Sequence, residues 1–525
     1  MFDLVVDCFH LRVNMLDMSA ETKIDLLIVG GGINGAGIAR DAAGRGLSVM
    51  LVEQDDLANH TSSASTKLIH GGLRYLEFGE FRLVREALIE RERLWGMAPH
   101  IIWPLRFVLP QTQSPRPAWM VRLGLFLYDH LGGRKRLPGT ETIALERSAC
   151  GAGLAPRAGK AFVYSDCWVE DSRLVVLNAR DAAERGAIVR TRTRLVSARR
   201  EGEHWIATIE SEDDGAAGHG TSEVHARVLV NAGGPWVADV LQRAGNSRND
   251  RAVRLIKGSH LVLPRLYEGD HAFMLQNPDR RIVFVIPYEG EFSLVGTTDE
   301  PWTGAPGRAE ISADETRYLL DTVNRYFARA VTADDVVWSY AGIRPLYDDK
   351  TANASAVTRD YVLDLDAPDG APPMLSIFGG KITTYRKLAE HAMAQLTRFF
   401  PAATGAWTAG ATLPGGDFVE FDAYLAELAQ ARPAIPAAPL RRLVRAYGTD
   451  AATLVPAGAS LADLGEDLGG GLTTREVDHL RTREWARTAE DILYRRSKLG
   501  LHVPAGTAAR IDAYLASATG TGAAA

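Results

Sequence analysis

Residues 24–55 read IDLLIVGGGINGAGIARDAAGRGLSVMLVEQD, and the rest of the chain is arranged around them. Residues 26–29 are an apolar run with β-branched members, long enough for a buried strand, that ends abruptly in Gly30, Gly31 and Gly32. Gly30, Gly32 and Gly35 form G-x-G-x-x-G at the mouth of a helix predicted from about Ile33 to Arg45, which Gly46 stops before a second apolar strand at 47–52. Gly30 permits the tight turn, Gly32 lets a pyrophosphate approach the backbone, and Gly35 allows close helix–strand packing. The helix N-terminus adds unpaired N–H groups and a partial positive charge. Glu53 closes the unit, where a carboxylate accepts ribose hydroxyls and disfavours a 2′-phosphate. The expected ligand contains ADP, with NAD and FAD both open.

The chain has 525 residues, too many for one ordinary core, so two or three domains are expected. Hydrophobic content of 46% and charged content of 24% are those of a folded globular protein. A net charge of −6 argues against wholesale nucleic-acid binding. Cys8, Cys150 and Cys167 show no C-x-x-C pair or metal spacing, so neither a disulfide framework nor a metal centre is indicated, and a reducing cytosolic setting fits. No segment has the roughly 18 uninterrupted apolar residues of a spanning helix. Residues 1–20 mix acids and arginine into short apolar runs, read as a disordered extension and not a signal peptide, with Met15 or Met18 as alternative starts.

Beyond Glu53 comes DLANHTSSASTKLIHGGLRYLE, residues 56–77. By composition its hydroxyl cluster is an ordinary polar loop; its position beside the dinucleotide points to phosphate and ribitol contacts instead. Residues 118–136, AWMVRLGLFLYDHLGGRKR, are apolar on nearly all faces and then basic. They suit either an interfacial membrane helix or a buried one. Residues 190–209 and 223–230 alternate like antiparallel strands around a tip near 213–220, and 228–234 place another buried strand before glycines. Strand-like stretches at 255–263, 282–287 and 292–297 predict an antiparallel sheet over the ligand. A further strand at 374–378 runs into Gly379 and Gly380 before a helix to about Phe399. Past Gly410 the composition turns helical, with Thr473 and Glu476 as a capping box before a helix expected at 477–494.

The fold class expected is thus α/β: a Rossmann-like nucleotide domain at 21–400 (segments about 21–110, 160–250 and 340–400), interleaved with an antiparallel-sheet substrate domain (about 111–159 and 251–339). A C-terminal α-helical domain at 401–516 and a disordered tail at 517–525 complete it.

Together IVGGGINGAGIARDAAGRGLSVMLVEQDD, TSSASTKLIHGGLRYLE, VLVNAGGPWV, KGSHLVLP, GTTDEPW, AGIRPL, TRDY and FGGKITTYRKLAE resemble the respiratory, FAD-dependent glycerol-3-phosphate dehydrogenases. These belong to a larger flavoprotein group that includes glycine and D-amino-acid oxidases. The resemblance spans about residues 25–390, and the N-terminal extension and a lengthened hairpin depart from it. It implies FAD with its pyrophosphate on Gly30, Gly32 and Gly35 and its ribose on Glu53. Ser63, Ser65 and Thr66 would line the ribityl and phosphate side, and Gly379, Gly380 and Lys381 would approach the isoalloxazine. Gly71, Gly72, Ala232, Gly233 and Thr383 complete the implied cofactor contacts.

Oxidising glycerol 3-phosphate, a small dianion, to dihydroxyacetone phosphate needs a phosphate clamp and an acceptor for the hydroxyl proton. The resemblance picks Arg344 and Arg359 as the clamp, then Arg74, and Tyr75 and Lys381 to orient the substrate. His260 is the candidate base, because imidazole takes a proton near neutrality. The resemblance further implies electron transfer to a membrane quinone, ubiquinone, from the inner face of the cytoplasmic membrane, with a homodimer among the expectations. A soluble oxidase making hydrogen peroxide is the alternative. An NAD-dependent dehydrogenase would be colourless, and a non-catalytic flavin binder would not be reduced.

Overall fold

The computed structural model describes residues 22–212, 220–245, 253–347 and 360–520. The N-terminal extension with Met15 and Met18, the 213–219 hairpin tip and Arg359 lie outside them, as does 521–525 of the expected tail. Strand β1 (Thr22–Val29), helix α1 (Ile33–Gly44) and strand β2 (Val49–Val52) form the first unit. β1 lies between β2 and Gly220–Asn231, parallel to both, and Met374–Phe378 and Ile188–Arg190 extend the parallel array on either side. Leu26, Leu27 and Ile28 are fully buried, as a strand covered on both faces requires. Thr193–Glu201 and His204–Ser211 form a hairpin that continues the sheet through Gly220–Asn231, and Val362–Asp366 closes the other edge.

The second sheet is built from Glu300–Pro301, Val253–Pro264, Phe292–Gly296, Ile282–Tyr288, Ala272–Gln276, Ile102–Pro110, Lys160–Val169 and Leu68–Ile69, joined by Trp338–Tyr347 and Glu141–Ala144. Its pairs are antiparallel except Ala272–Gln276 with Ile102–Pro110. Ile102–Pro110 and Lys160–Val169 come from segments that the sequence reading places in the nucleotide domain, so the interleaving is finer than those boundaries. The chain passes between the sheets several times, which sets the second sheet against the mouth of the glycine turn.

Helix α2 (Phe81–Met97) and helix α3 (Ala118–Leu131) pack outside the second sheet. Of the alternatives for α3, neither holds alone. Val121, Leu125 and Tyr128 are buried, whereas Trp119, Met120, Leu123 and Phe126 are exposed, joined by Phe78 and Phe81 from the preceding turn and α2.

A separate hydrophobic cluster from Phe421 to Leu515 makes the C-terminal helical region. The helix expected at 477–494 stops early: Thr474–Glu484 ends at Trp485 in a left-handed conformation, and a single π-helical segment, Asp491–Arg496, follows. Thr473 accepts the Glu476 N–H, but the Glu476 carboxylate goes to Arg442 at 2.7 Å and to the Tyr447 hydroxyl, so the capping box is half made. Helix Thr507–Gly520 carries order through 517–520, where disorder was expected, and Ile511 and Leu515 bury its inner face. Asp56, just beyond Glu53, accepts from Arg495 Nε at 2.6 Å and from Arg496 Nη1 and Nη2 at 2.7 Å, tying this region to the nucleotide fold. All three side chains are buried.

Candidate active site

The glycine turn is closed by contact. A Cβ on Gly35 would stand 1.9 Å from the Gly30 carbonyl oxygen, and one on Gly30 would stand 2.4 Å from that of Ala232. Gly32 caps α1 with no side-chain bond of its own, and the Ser62 hydroxyl accepts the Ile33 N–H at 3.0 Å from outside. The resulting cleft, about 990 Å³, is lined by Gly30, Gly32, Asn34, Glu53, Ala232, Gly233 and Trp236 among others. Glu53 accepts the N–H groups of Gly31 at 2.6 Å and Asp55 at 2.9 Å, with burial pushing its pKa up; its remaining lone pairs are those a ribose would meet. Asn34 donates to the Gly379 carbonyl at 3.1 Å, while its own buried Oδ1 has no partner among the described residues. A cleft bounded by glycines, a helix N-terminus and an orphaned amide oxygen fits a dinucleotide.

A second cavity of about 1150 Å³ continues from the first, sharing Ile33, Thr61, Ser62, Pro345, Gly379 and Gly380. It brings together Tyr75, His260, Arg344, Lys381 and Thr383, with Ser65 and Thr66. Residue alternation along Val253–Pro264 turns Gly258 and His260 toward it. His260 is 2% exposed; its Nε2 is 2.9 Å from the Thr66 hydroxyl, its ring stacks on Tyr340 at 4.8 Å, and its Nδ1 has no partner among the described residues. Burial, then the charges of Lys67 and Arg344, hold its pKa well below the ordinary imidazole value, so it is neutral at pH 7. This departs from the expectation of an unperturbed imidazole.

Arg344 donates through Nη2 to the Thr298 carbonyl at 3.1 Å and to Asp299 at 2.5 Å. The Lys381 ammonium lies 3.8 Å from the Tyr75 ring centre. Asp360, paired with Arg82, is the carboxylate in the lining. Arg359, beside it in sequence, lies outside the described residues.

Several expected contacts are placed elsewhere. Arg74 lines a groove under α3 and not this cavity, because consecutive side chains of the turn Leu73–Phe78 diverge and Tyr75 takes the inner position. Ser63 bonds the His60 carbonyl and faces away, and Ser62, its neighbour, lines both cavities. Ser65 spends its hydroxyl on Asp171 at 2.7 Å. Gly71 donates to the Tyr128 hydroxyl at 2.7 Å, and Gly72 takes φ 72° to start the turn; both act through packing and backbone.

Sequence reasoning missed Asn34 and His70, and within the hydroxyl cluster it singled out Ser63 where Ser62 lines the site. His70 lines the substrate cavity beside Thr383, whose hydroxyl accepts its N–H at 3.2 Å, and burial followed by the charges of Lys381 and Arg91 lowers its pKa to about 4. The signal was there in the His-Gly-Gly sequence, which forces a chain reversal beside the ligand.

Gly35→Ala tests the turn. With backbone carbonyl in the way, the substitution should abolish retention of cofactor, read as loss of visible absorbance in purified protein of unchanged helical content.

The family model for FAD dependent oxidoreductases matches residues 25–386. The chain is 54% identical over 494 residues to a glycerol-3-phosphate dehydrogenase of Pseudomonas aeruginosa, covering 94% of this chain and 95% of that one. It is 52% identical over 491 residues to a D-erythritol 1-phosphate dehydrogenase of Brucella abortus, covering 93% and 96%. Among solved structures, the glycerol-3-phosphate dehydrogenase of Bacillus halodurans complexed with FAD superposes with a TM-score of 0.67 at 25% identity, over 91% of this chain and 86% of that one.

Proposed function

We propose, for a chain that belongs to the FAD dependent oxidoreductase family, that its substrate is glycerol 3-phosphate, oxidised at the secondary alcohol to dihydroxyacetone phosphate. The cofactor is FAD. The observation that carries the reading is a cavity, continuous with the dinucleotide cleft, whose lining includes Arg344 and His260, with a buried imidazole nitrogen that has no partner among the described residues. FAD, when bound, supplies the acceptor for the hydride leaving the alcohol carbon. Gly30, Gly32, Gly35 and the α1 N-terminus would hold its pyrophosphate, and Gly379 and Gly380 would border its ring.

Arg344 binds the phosphate dianion, with Lys381 adding positive charge. The hydroxyl proton goes to His260 Nδ1 while Nε2–H donates to Thr66, which keeps the ring from rotating. A neutral imidazole among cations is a reluctant base when the cavity holds no anion. The incoming dianion offsets Lys67 and Arg344, so the substrate itself raises the basicity of the group that deprotonates it.

No helix among the described residues is long and apolar enough to cross a membrane. The exposed side of α3, with Trp119, Leu123 and Phe126, supports peripheral contact with the inner face of the cytoplasmic membrane. Beneath it a mainly apolar groove of about 810 Å³, lined by Leu73, Leu76, Met120 and Leu127, suits a membrane quinone as acceptor. Of the basic residues Arg134, Lys135 and Arg136 that follow α3, Arg134 and Arg136 face Asp129 and Glu420, which favours contact through the apolar residues. Trp119→Ser with Phe126→Ser should lower partition onto phosphatidylglycerol vesicles by about tenfold, measured by co-sedimentation; unchanged partition would move the membrane face elsewhere.

Adding glycerol 3-phosphate without oxygen should bleach the visible absorbance of the purified protein. Quinone reduction measured against peroxide yield then separates the dehydrogenase from an oxygen-using oxidase. The Brucella relative favours a second reading, in which a four-carbon polyol phosphate is the better substrate. Comparing the two esters for rate of bleaching decides between them.

A further inference from the structure

We propose that Glu315, which lies outside the substrate cavity on helix Ala313–Tyr326, is a positioning residue that sets the placement of both His260 and Arg344. The inference rests on the roles given to those two residues above. Along Val253–Pro264, the alternation that sends Gly258 and His260 to the substrate sends Lys257 and Ser259 the other way, and both end on Glu315. Lys257 Nζ is 2.8 Å from its carboxylate, and the Ser259 hydroxyl donates to it at 2.8 Å. The Thr298 hydroxyl donates at 2.7 Å and the Ser312 N–H at 2.8 Å. Donors from three separate segments thus converge on one side chain that is 4% exposed.

Each donor stands one step from the chemistry. Ser259 is the residue before His260, and its N–H donates to the Thr298 hydroxyl at 3.0 Å. The Thr298 carbonyl is the group that receives Arg344 Nη2, and Thr297 before it lines the substrate cavity. A helix cap alone accounts for one bond: Ser312 and Glu315 form the capping box of the helix. It does not account for Oε1, which takes the two hydroxyls that pin the strands carrying His260 and Thr297. Burial pushes the Glu315 pKa up, but the bonds from Lys257, Ser312, Thr298 and Ser259 outweigh it, and the group is anionic at neutral pH. Lys257, Thr298, Ser312 and Glu315 line a cavity of about 1100 Å³ that shares no lining residue with the substrate cavity.

The test uses the FAD-loaded full chain with Glu315→Gln and, because a buried glutamate can be needed for folding, Thr298→Val, which removes one hydroxyl and keeps the shape. Inorganic phosphate binding by calorimetry reads Arg344, and the KM and kcat for the polyol phosphate, with the pH profile, read both residues. The expected result is flavin content and thermal midpoint close to the parent, about tenfold weaker phosphate binding and higher KM, and kcat/KM lower by up to about 10²-fold, the scale of a displaced reacting group. Phosphate affinity, KM and pH profile within about twofold of the parent in Thr298→Val, and in Glu315→Gln if it folds, would overturn the inference. A parent protein that binds phosphate but is reduced by neither polyol phosphate sinks the functional reading alone, and the phosphate arm still decides the place of Glu315. One that binds no phosphate overturns both.

Discussion

His260→Asn should slow reduction of the bound flavin by glycerol 3-phosphate about 10²- to 10⁴-fold, the range for loss of a positioned general base, and leave the protein yellow. Asparagine keeps a polar amide at this place on the strand but has no basic nitrogen to take up the proton. Anaerobic stopped-flow measurement at 450 nm, roughly where flavins absorb, gives the rate without involving the electron acceptor. Retention of near-parental rates would transfer the role to His70, the other imidazole of the cavity.

The pH dependence follows from the direction of the shift. The neutral form is the competent one and its pKa is depressed, so the limb His260 adds to kcat/KM lies well below the ordinary imidazole pKa of about 6.5, apart from the limb at about 6 that the second ionisation of the substrate phosphate contributes. That limb should be missing in His260→Asn.

The second large effect is on stability. Asp56→Ala would leave Arg495 and Arg496 buried without the carboxylate they share, and breaking a buried pair in this way costs about 3–5 kcal/mol. Urea unfolding should show the helical region detaching at a lower midpoint, and cofactor should be lost with it, since Asp56 follows closely on Glu53. Arg308→Ala is the contrast. Its contact with Glu490 is 3.1 Å, but Arg308 is 82% exposed, and the change should be under about 1 kcal/mol after solvent screening. A midpoint unchanged in Asp56→Ala would mean that the remaining contacts, Arg192–Asp491 and Arg173–Glu484 among them, hold the interface without this carboxylate.

Acid should act on the same interface. Asp491 and Glu484 are depressed against their burial by Arg192 and Arg495 and by Arg173 respectively. Groups with lowered folded pKa stabilise fully above the unfolded value, about 4. Their contribution shrinks as pH falls below that value and is gone beneath the folded one.

Much of this was readable from residues because the deciding features are local. The glycines, the α1 helix and the flanking strands obey spacing rules that hold within a few residues, and α3 and Met374–Phe378 begin and end where their apolar runs do. What was not readable depends on the direction of a side chain in irregular backbone. Nothing in the composition separates Ser62 from Ser63, yet Ser62 lines the dinucleotide cleft and Ser63 turns back to the His60 carbonyl. Arg74 and Tyr75 are adjacent, and only the tight turn shows which points inward. The break at Trp485 escaped because the polar–apolar period runs on through it, while Glu476 abandons its cap for Arg442, a partner distant in sequence.

The turn Leu73–Phe78 presents Tyr75 to the cavity that holds Arg344 and Lys381, and Leu73 and Leu76 to the groove beneath α3. On the proposal that the groove takes a quinone, one short partition would serve two media, with a charged metabolite arriving from water on one side and a lipid-soluble oxidant from the bilayer on the other. Traffic in one compartment would then not wait for the other to clear, and neither reactant should act as a competitive inhibitor of its counterpart.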